Sequence, residues 1–164
     1  MLIMLPQMQK NTVPDLYLGQ AYQVNVTSFD AVSTAIEDII HEFSGRLDIF
    51  IANSGISWIQ GAIVSGELTH YHDVVTTDLD GTFYCARAVA SHWRRQKKEQ
   101  TTIDGKKLEP PFKQGSFVAT ASISGHIVNI PQLQAPYNAV KAGIIHLCMY
   151  CPSLIYFLYK YLRY

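Results

Sequence analysis

Two short, mostly apolar runs separated by a long helical pattern constrain this chain more than any other feature. The first, Leu47-Asp48-Ile49-Phe50-Ile51-Ala52, ends in Asn53-Ser54-Gly55, and the second is Ser116-Phe117-Val118-Ala119-Thr120-Ala121. The first has the length and composition of a strand buried on both faces. A further strand is expected at Ala21-Tyr22-Gln23-Val24-Asn25-Val26-Thr27, which alternates in polarity and is rich in β-favouring residues. The order is strand, helix, strand, helix, strand, helix, which argues for a parallel sheet covered by helices.

The helices follow from spacing and end signals. Between Asp30 and Phe43, apolar Val32, Ala35, Ile36, Ile39, Ile40 and Phe43 recur at helical intervals, with Thr27 or Ser28 as cap and Ser44-Gly45 as stop. A long helix is expected from Tyr71 to Lys98, on the stripe of Val74, Val75, Leu79, Phe83, Ala86, Ala90 and Trp93. It ends in Arg94-Arg95-Gln96-Lys97-Lys98, cations suited to a helix C-terminus. Glu99 to Gln114, with Gly105, Pro110 and Pro111 among polar residues, reads as a solvated loop. The last helix opens at Pro136 and packs through Ala139, Val140, Gly143, Ile144 and Leu147. Residues 1–20 are an atypical leading segment and residues 21–149 carry the alternating domain. Residues 150–164 form an aromatic tail holding Tyr156, Tyr159, Tyr161 and Tyr164.

Composition narrows the partners. A chain of 164 residues fits one domain. Thirteen Lys plus Arg balance thirteen Asp plus Glu, which argues against nucleic acid or an anionic membrane and for a small ligand. Three cysteines, Cys85, Cys148 and Cys151, are too few for a disulfide framework and indicate a reducing compartment. Cys148 and Cys151 have half of a zinc-site spacing with no second pair, so no metal is expected. Met1 to Pro6 lacks the basic start of a secretion signal, and no apolar stretch approaches the roughly 20 residues that span a bilayer. A cytoplasmic protein is expected.

The chemistry concentrates in Ser122, at the end of one strand, and Tyr137 and Lys141, at i and i+4 in the next helix. A phenol with a pKa of about 10 is a poor acid or base at neutral pH, but a nearby ammonium stabilises the phenolate. Lys141 would thus tune Tyr137, and Ser122 would orient a substrate oxygen where open α/β sheets place their ligands. Tyr156 and Lys160 repeat the spacing inside the tail, so the context of the first pair gives it weight. His126 and Asn129, between Ser122 and Tyr137, are candidates for substrate contact, whereas His70 and His72 read as solvated or capping residues.

From about Ala21 to Leu147 the chain resembles the short-chain dehydrogenase/reductase family. Asn25-Val26 is similar to the family's turn at the adenine, and Leu47 to Gly55 to its strand and Asn-Asn-Ala-Gly motif. Ser122, Tyr137 and Lys141 are similar to its catalytic residues, with Ser122 placed three residues before Gly125 and Ser124 as the alternative. Thr120 to Asn129 and Pro131 to Tyr137 are similar to the fungal mannitol dehydrogenase and sorbose reductase branch. The resemblance implies hydride transfer between NADP(H), in preference to NAD(H), and a ketose or polyol. It also implies cofactor binding by Asn25, Val26, Asn53, Gly55, Tyr137 and Lys141, and a homo-oligomer formed through helices 71–98 and 136–149.

The departures set further expectations. Asp78, in Asp78-Leu79-Asp80-Gly81, stands where the family usually has an asparagine holding a proton-relay water, and is a weaker catalytic candidate. Ala52 replaces the first Asn of the turn motif, and Asn25 an acidic group. Only Gly19 precedes Ala21, so no glycine-rich pyrophosphate turn is present there. The expected fold is therefore a partial Rossmann-like three-layer α/β domain, truncated at both ends and missing the family's first two strands and its last. In the family's sheet order the Ala21 strand would lie two lanes from Ile49, so it must shift, find a partner or fail to pair. Poor folding is expected, and a catalytically inactive remnant acting as an interaction module is the alternative function.

Overall fold

The structure is a computed structural model that describes residues 21–149, apart from Ser44 and Asn129. Helix α1 spans Phe29–Glu42 and is capped by Ser28, whose hydroxyl accepts the Ala31 N–H at 3.3 Å. It buries Val32, Ile36, Ile39 and Ile40 along one face. Gly45 closes the helix by donating its N–H to the Ile40 carbonyl at 2.7 Å. Its φ of +73° and an approach to the Ile103 backbone that would put a Cβ at 2.7 Å both require glycine.

Strand β1, Ile49–Ala52, pairs in parallel with β2, Ser116–Ala119, with Ile49 opposite Ser116 and Ala52 opposite Ala119. The pairing is extended by the Ser116 N–H to the Asp48 carbonyl and the Thr120 N–H to the Ala52 carbonyl. The sheet has two strands among the described residues. The segment 21–27 forms no strand, which corrects the expectation: a strand exists only through its ladder. Val24 and Val26 are nonetheless buried. The expectation that β1 is covered on both faces is also corrected, because Phe50 and Ala52 are buried while Ile49 and Ile51 are 57% and 58% exposed.

The helices gather over the Phe50, Ala52 and Phe117 face. Leu68–Val74 forms α2, which passes through a π-helical turn, Val75–Asp80, into α3, Gly81–Glu99. The long helix thus starts three residues before the expected Tyr71 and carries a bulge that the pattern did not signal. Cys85, Val89 and Trp93 of α3 join Val32, Ile36 and Ile40 of α1 in the main core. The 99–114 segment contributes Leu108 and Phe112 to that core, so it is not simply a solvated loop. After β2, a 3₁₀ turn at Ile123–Gly125 leads to α4, Ala135–Met149. Val140, Ile144 and Cys148 of α4 pack with Val74 and Trp58 in a second cluster.

One buried polar group ties the two layers. Gln96 is fully buried, accepts the Leu47 N–H at 2.7 Å and donates to the Leu47 carbonyl at 3.0 Å. Trp93 Nε1 donates to the same carbonyl at 2.9 Å. Within the basic helix end Gln96 is thus anchored and Arg95 pairs with Glu99 at 2.9 Å, while Arg94, Lys97 and Lys98 are exposed.

Candidate active site

The site forms where β1 and β2 end. Asn53 Oδ1 accepts the Thr120 hydroxyl at 2.6 Å and so links the two strand ends. Two residues on, Gly55 lies against Asp78 and Lys141: a Cβ there would sit 2.8 Å from Asp78 Oδ2 and 3.1 Å from Lys141 Nζ. The missing side chain is what lets the loop cover this pair.

Asp78 sits in the π turn and is fully buried, and Lys141, one turn into α4, is 4% exposed. Lys141 Nζ pairs with Asp78 Oδ2 at 2.9 Å and donates to the Thr120 carbonyl at 3.3 Å. The other carboxylate oxygen, Asp78 Oδ1, accepts the Ile56 N–H at 2.7 Å. Buried charges persist when paired and hydrogen-bonded in this way. Asp78 Oδ1 is thus hydrogen-bonded to the loop, whereas Oδ2 meets the ammonium as an ion pair and takes no hydrogen bond among the described residues. The π turn itself is fastened by Thr82, whose hydroxyl donates to the Asp78 carbonyl at 2.6 Å.

Tyr137 is half-buried in the first turns of α4, and Lys141 Nζ lies 5.3 Å from its ring centroid. The i, i+4 spacing therefore brings ammonium and phenol ring to one face, as the sequence indicates. Ser122 caps the 3₁₀ turn by accepting the Ser124 N–H at 3.2 Å, and Ser124 is itself buried. Gly125 fixes this turn to α4, since a Cβ there would lie 2.8 Å from the Lys141 backbone and 2.7 Å from Ile145. Ser122 is thus held by a turn seated on the helix that carries Lys141.

The expected adenine-side residues separate. Asn25 is exposed and its side-chain oxygen accepts the Thr27 N–H and hydroxyl at 3.1 and 2.9 Å. Val26 is buried and packs on Gly81, where a Cβ would meet the Val26 carbonyl at 3.2 Å. Val26 lines a shallow cleft with Ala52, Ser54, Gly81, Thr82 and Cys85. Burial pushes the Cys85 thiol up to about 12, which keeps it protonated and inert.

The remaining candidates take simpler roles. His70 stacks on Trp58 at 5.3 Å with Nε2 3.2 Å from the Ser57 carbonyl, and His72 is exposed. His126 is exposed, Cys148 is buried in α4, and Asn129, Cys151, Tyr156 and Lys160 lie outside the described residues. Among the described residues no helix is long and apolar enough to cross a membrane. Sequence reasoning missed the Thr120 carbonyl and the Ile56 N–H. Both are backbone groups, which no side-chain pattern can flag.

A family model described as Enoyl-(Acyl carrier protein) reductase matches residues 7–152. The chain belongs to the short-chain dehydrogenase/reductase family. It is 57% identical over 129 residues to the L-xylulose reductase of Hypocrea jecorina, covering 79% of this chain and 44% of that protein. It is 40% identical over 129 residues to the NADP-dependent mannitol dehydrogenase of Aureobasidium melanogenum, covering 79% and 42%. Among solved structures, the NADPH-dependent 3-quinuclidinone reductase of Rhodotorula rubra superposes with a TM-score of 0.63 at 38% identity, covering 77% of this chain and 41% of that one. The chain thus spans less than half the length of these relatives, and the α/β class with a parallel sheet agrees with theirs.

Proposed function

We propose that this chain carries the proton-transfer half of a cytoplasmic oxidoreductase that moves hydride between NADP(H) and a ketone or secondary alcohol of the ketose or polyol class. Tyr137 is the general acid in ketone reduction and the general base in alcohol oxidation, and Ser122 polarises the substrate oxygen. The nicotinamide group supplies or accepts the hydride when bound.

The observation that carries this reading is the convergence of Tyr137, Lys141 and the Ser122 turn at the ends of two parallel strands, where α/β sheets bind ligands. Lys141 has three N–H donors, of which one goes to the Thr120 carbonyl while the ammonium pairs with Asp78. A further donor is suited to a ribose hydroxyl. The Val26, Ala52 and Ser54 cleft adds an apolar wall on the adenine side, and Asn53 and Gly55 shape the loop between the two. Preference for NADP(H) and for sugars draws support from what the relatives are named for. Helices 71–98 and 136–149 are the proposed surfaces of a homo-oligomer.

A second reading, a catalytically inactive module that docks on a partner, is favoured by the bare Ile49 and Ile51 face of β1. A thermal-shift titration with NADPH and NADH separates the two. A saturable rise, larger with NADPH, supports the oxidoreductase and leads to assays with fructose, sorbose, xylulose and mannitol. No saturable rise with either cofactor overturns it.

A further inference from the structure

We propose that this chain carries a salt-sensitive surface for a second copy of itself, in which the cations of residues 94–113 in one copy meet the carboxylates of α1 in the other. The zero net charge of the sequence conceals a sharp segregation. Residues 94–113 hold seven Lys and Arg against three Asp and Glu. Residues 21–45 hold the carboxylates of Asp30, Glu37, Asp38 and Glu42 and no Lys or Arg. Separated blocks of opposite charge create a directional field, where an even mixture would cancel.

The fold pins the basic block in place. It begins on the last turns of α3 and folds back on them. Arg95 Nη1 donates to the Thr101 and Thr102 carbonyls at 3.3 Å, and the Leu108 N–H donates to the Gln100 carbonyl at 2.9 Å. Gln100 clamps Phe112, accepting its N–H at 2.8 Å and donating to its carbonyl at 2.9 Å. Leu108 and Phe112 are buried, while Arg94, Lys97, Lys98, Lys106 and Lys113 are exposed. Among the described residues none of these five forms an ion pair. The carboxylates of the block already have neighbours: Glu99 meets Arg95 at 2.9 Å, Asp104 lies 3.8 Å from His41 and Glu109 lies 4.0 Å from Lys107.

The acidic block lies next to it. Asp30, Glu37, Asp38 and Glu42 are exposed on α1, opposite the buried Val32, Ile36, Ile39 and Ile40. The end of α1 touches the basic block through the Ile103 N–H, which donates to the Gly45 carbonyl at 3.2 Å, and through His41 beside Asp104. Within one chain the two patches adjoin without neutralising each other. A two-fold axis beside this junction sets each copy's cations on the other's α1, a closed contact with two sets of ion pairs. Exposed ion pairs are individually worth little and are screened by salt, so the association is weak and depends on ionic strength. A nucleic acid would use the cations but bring its phosphates against the neighbouring carboxylates, and that opposition favours a second copy.

The test is sedimentation of the whole chain, which needs neither cofactor nor turnover. The parent is a dimer at about 25 mM NaCl, and its dissociation constant rises by at least about tenfold at about 500 mM, where the Debye length falls to about 4 Å. Lys97→Glu/Lys98→Glu and Glu37→Lys/Asp38→Lys are each monomeric at low salt. Their equimolar mixture dimerises, because each reversed patch then faces its opposite. Should Lys97→Glu/Lys98→Glu lose its cooperative melt, Lys106→Glu/Lys107→Glu reads the same surface. A parent that stays monomeric at low salt, association that salt does not reverse, or a mixture that stays monomeric overturns the proposal. A monomeric parent that is retained on single-stranded DNA assigns the cations to a polyanion and overturns it as well.

Discussion

Replacing Gln96 with leucine removes the side chain that joins α3 to the chain entering β1. In the native chain Gln96 Oε1 accepts the Leu47 N–H at 2.7 Å, and Nε2 donates to the Leu47 carbonyl at 3.0 Å. The two losses are unequal. The carbonyl keeps Trp93 Nε1 at 2.9 Å, while the buried N–H is left with no acceptor. An orphaned buried donor costs about 1–3 kcal/mol, and leucine fills a similar volume, so the cavity contribution is small. A net loss of about 2 kcal/mol is expected. With a urea m-value of about 1.5 kcal/mol/M, the midpoint falls by about 1.3 M. The assay is urea unfolding of parent and variant, with hydrogen exchange at the Leu47 amide as the local readout. A midpoint shift under about 0.3 M at unchanged m, with Leu47 still protected, would refute the assignment. The parent curve also tests the expectation of poor folding, since a single cooperative transition contradicts it.

Gly55→Ala places a Cβ 2.8 Å from Asp78 Oδ2 and 3.1 Å from Lys141 Nζ, so the ion pair or the loop must move. The expected outcome is a loss of about 1–3 kcal/mol in thermal unfolding together with a weaker NADPH-induced shift, and an unchanged melting temperature would count against the packing described. Burial lowers the His92 pKa below 6.5, opposed by its hydrogen bond to Gln96 and assisted by Arg95 and His41. The unfolded chain therefore binds a proton at His92 more readily than the folded one. This contribution to stability is present above pH 6.5 and is lost as pH falls from there toward the lower folded value. Urea midpoints of His92→Gln should depend less on pH than the parent's between about pH 5 and 7, and parallel curves would contradict this.

Local signals settled much of the fold. Ser28 and Gly45 delimit α1 because capping and a left-handed stop need only neighbouring residues. The apolar runs at 47–52 and 116–121 located β1 and β2, and the spacing of Tyr137 and Lys141 fixed their common face, since helix geometry is periodic. The sequence by itself thus determined the parallel α/β class, the family and the identities of Ser122, Tyr137 and Lys141 as candidates.

Tertiary structure decided the rest. The segment 21–27 has a strand's alternation but forms no strand, while its Val24 and Val26 are buried. Leu108 and Phe112 enter the core from a stretch whose composition reads as loop, because burial depends on what lies opposite and not on local polarity. Most of all, the sequence could name Asp78 but not its partner. The π turn and the close seat of Gly55 and Gly125 bring Asp78, Lys141 and the Thr120 carbonyl within hydrogen-bonding distance. Electrostatic coupling falls with distance and rises with burial, and both are set only when distant segments pack.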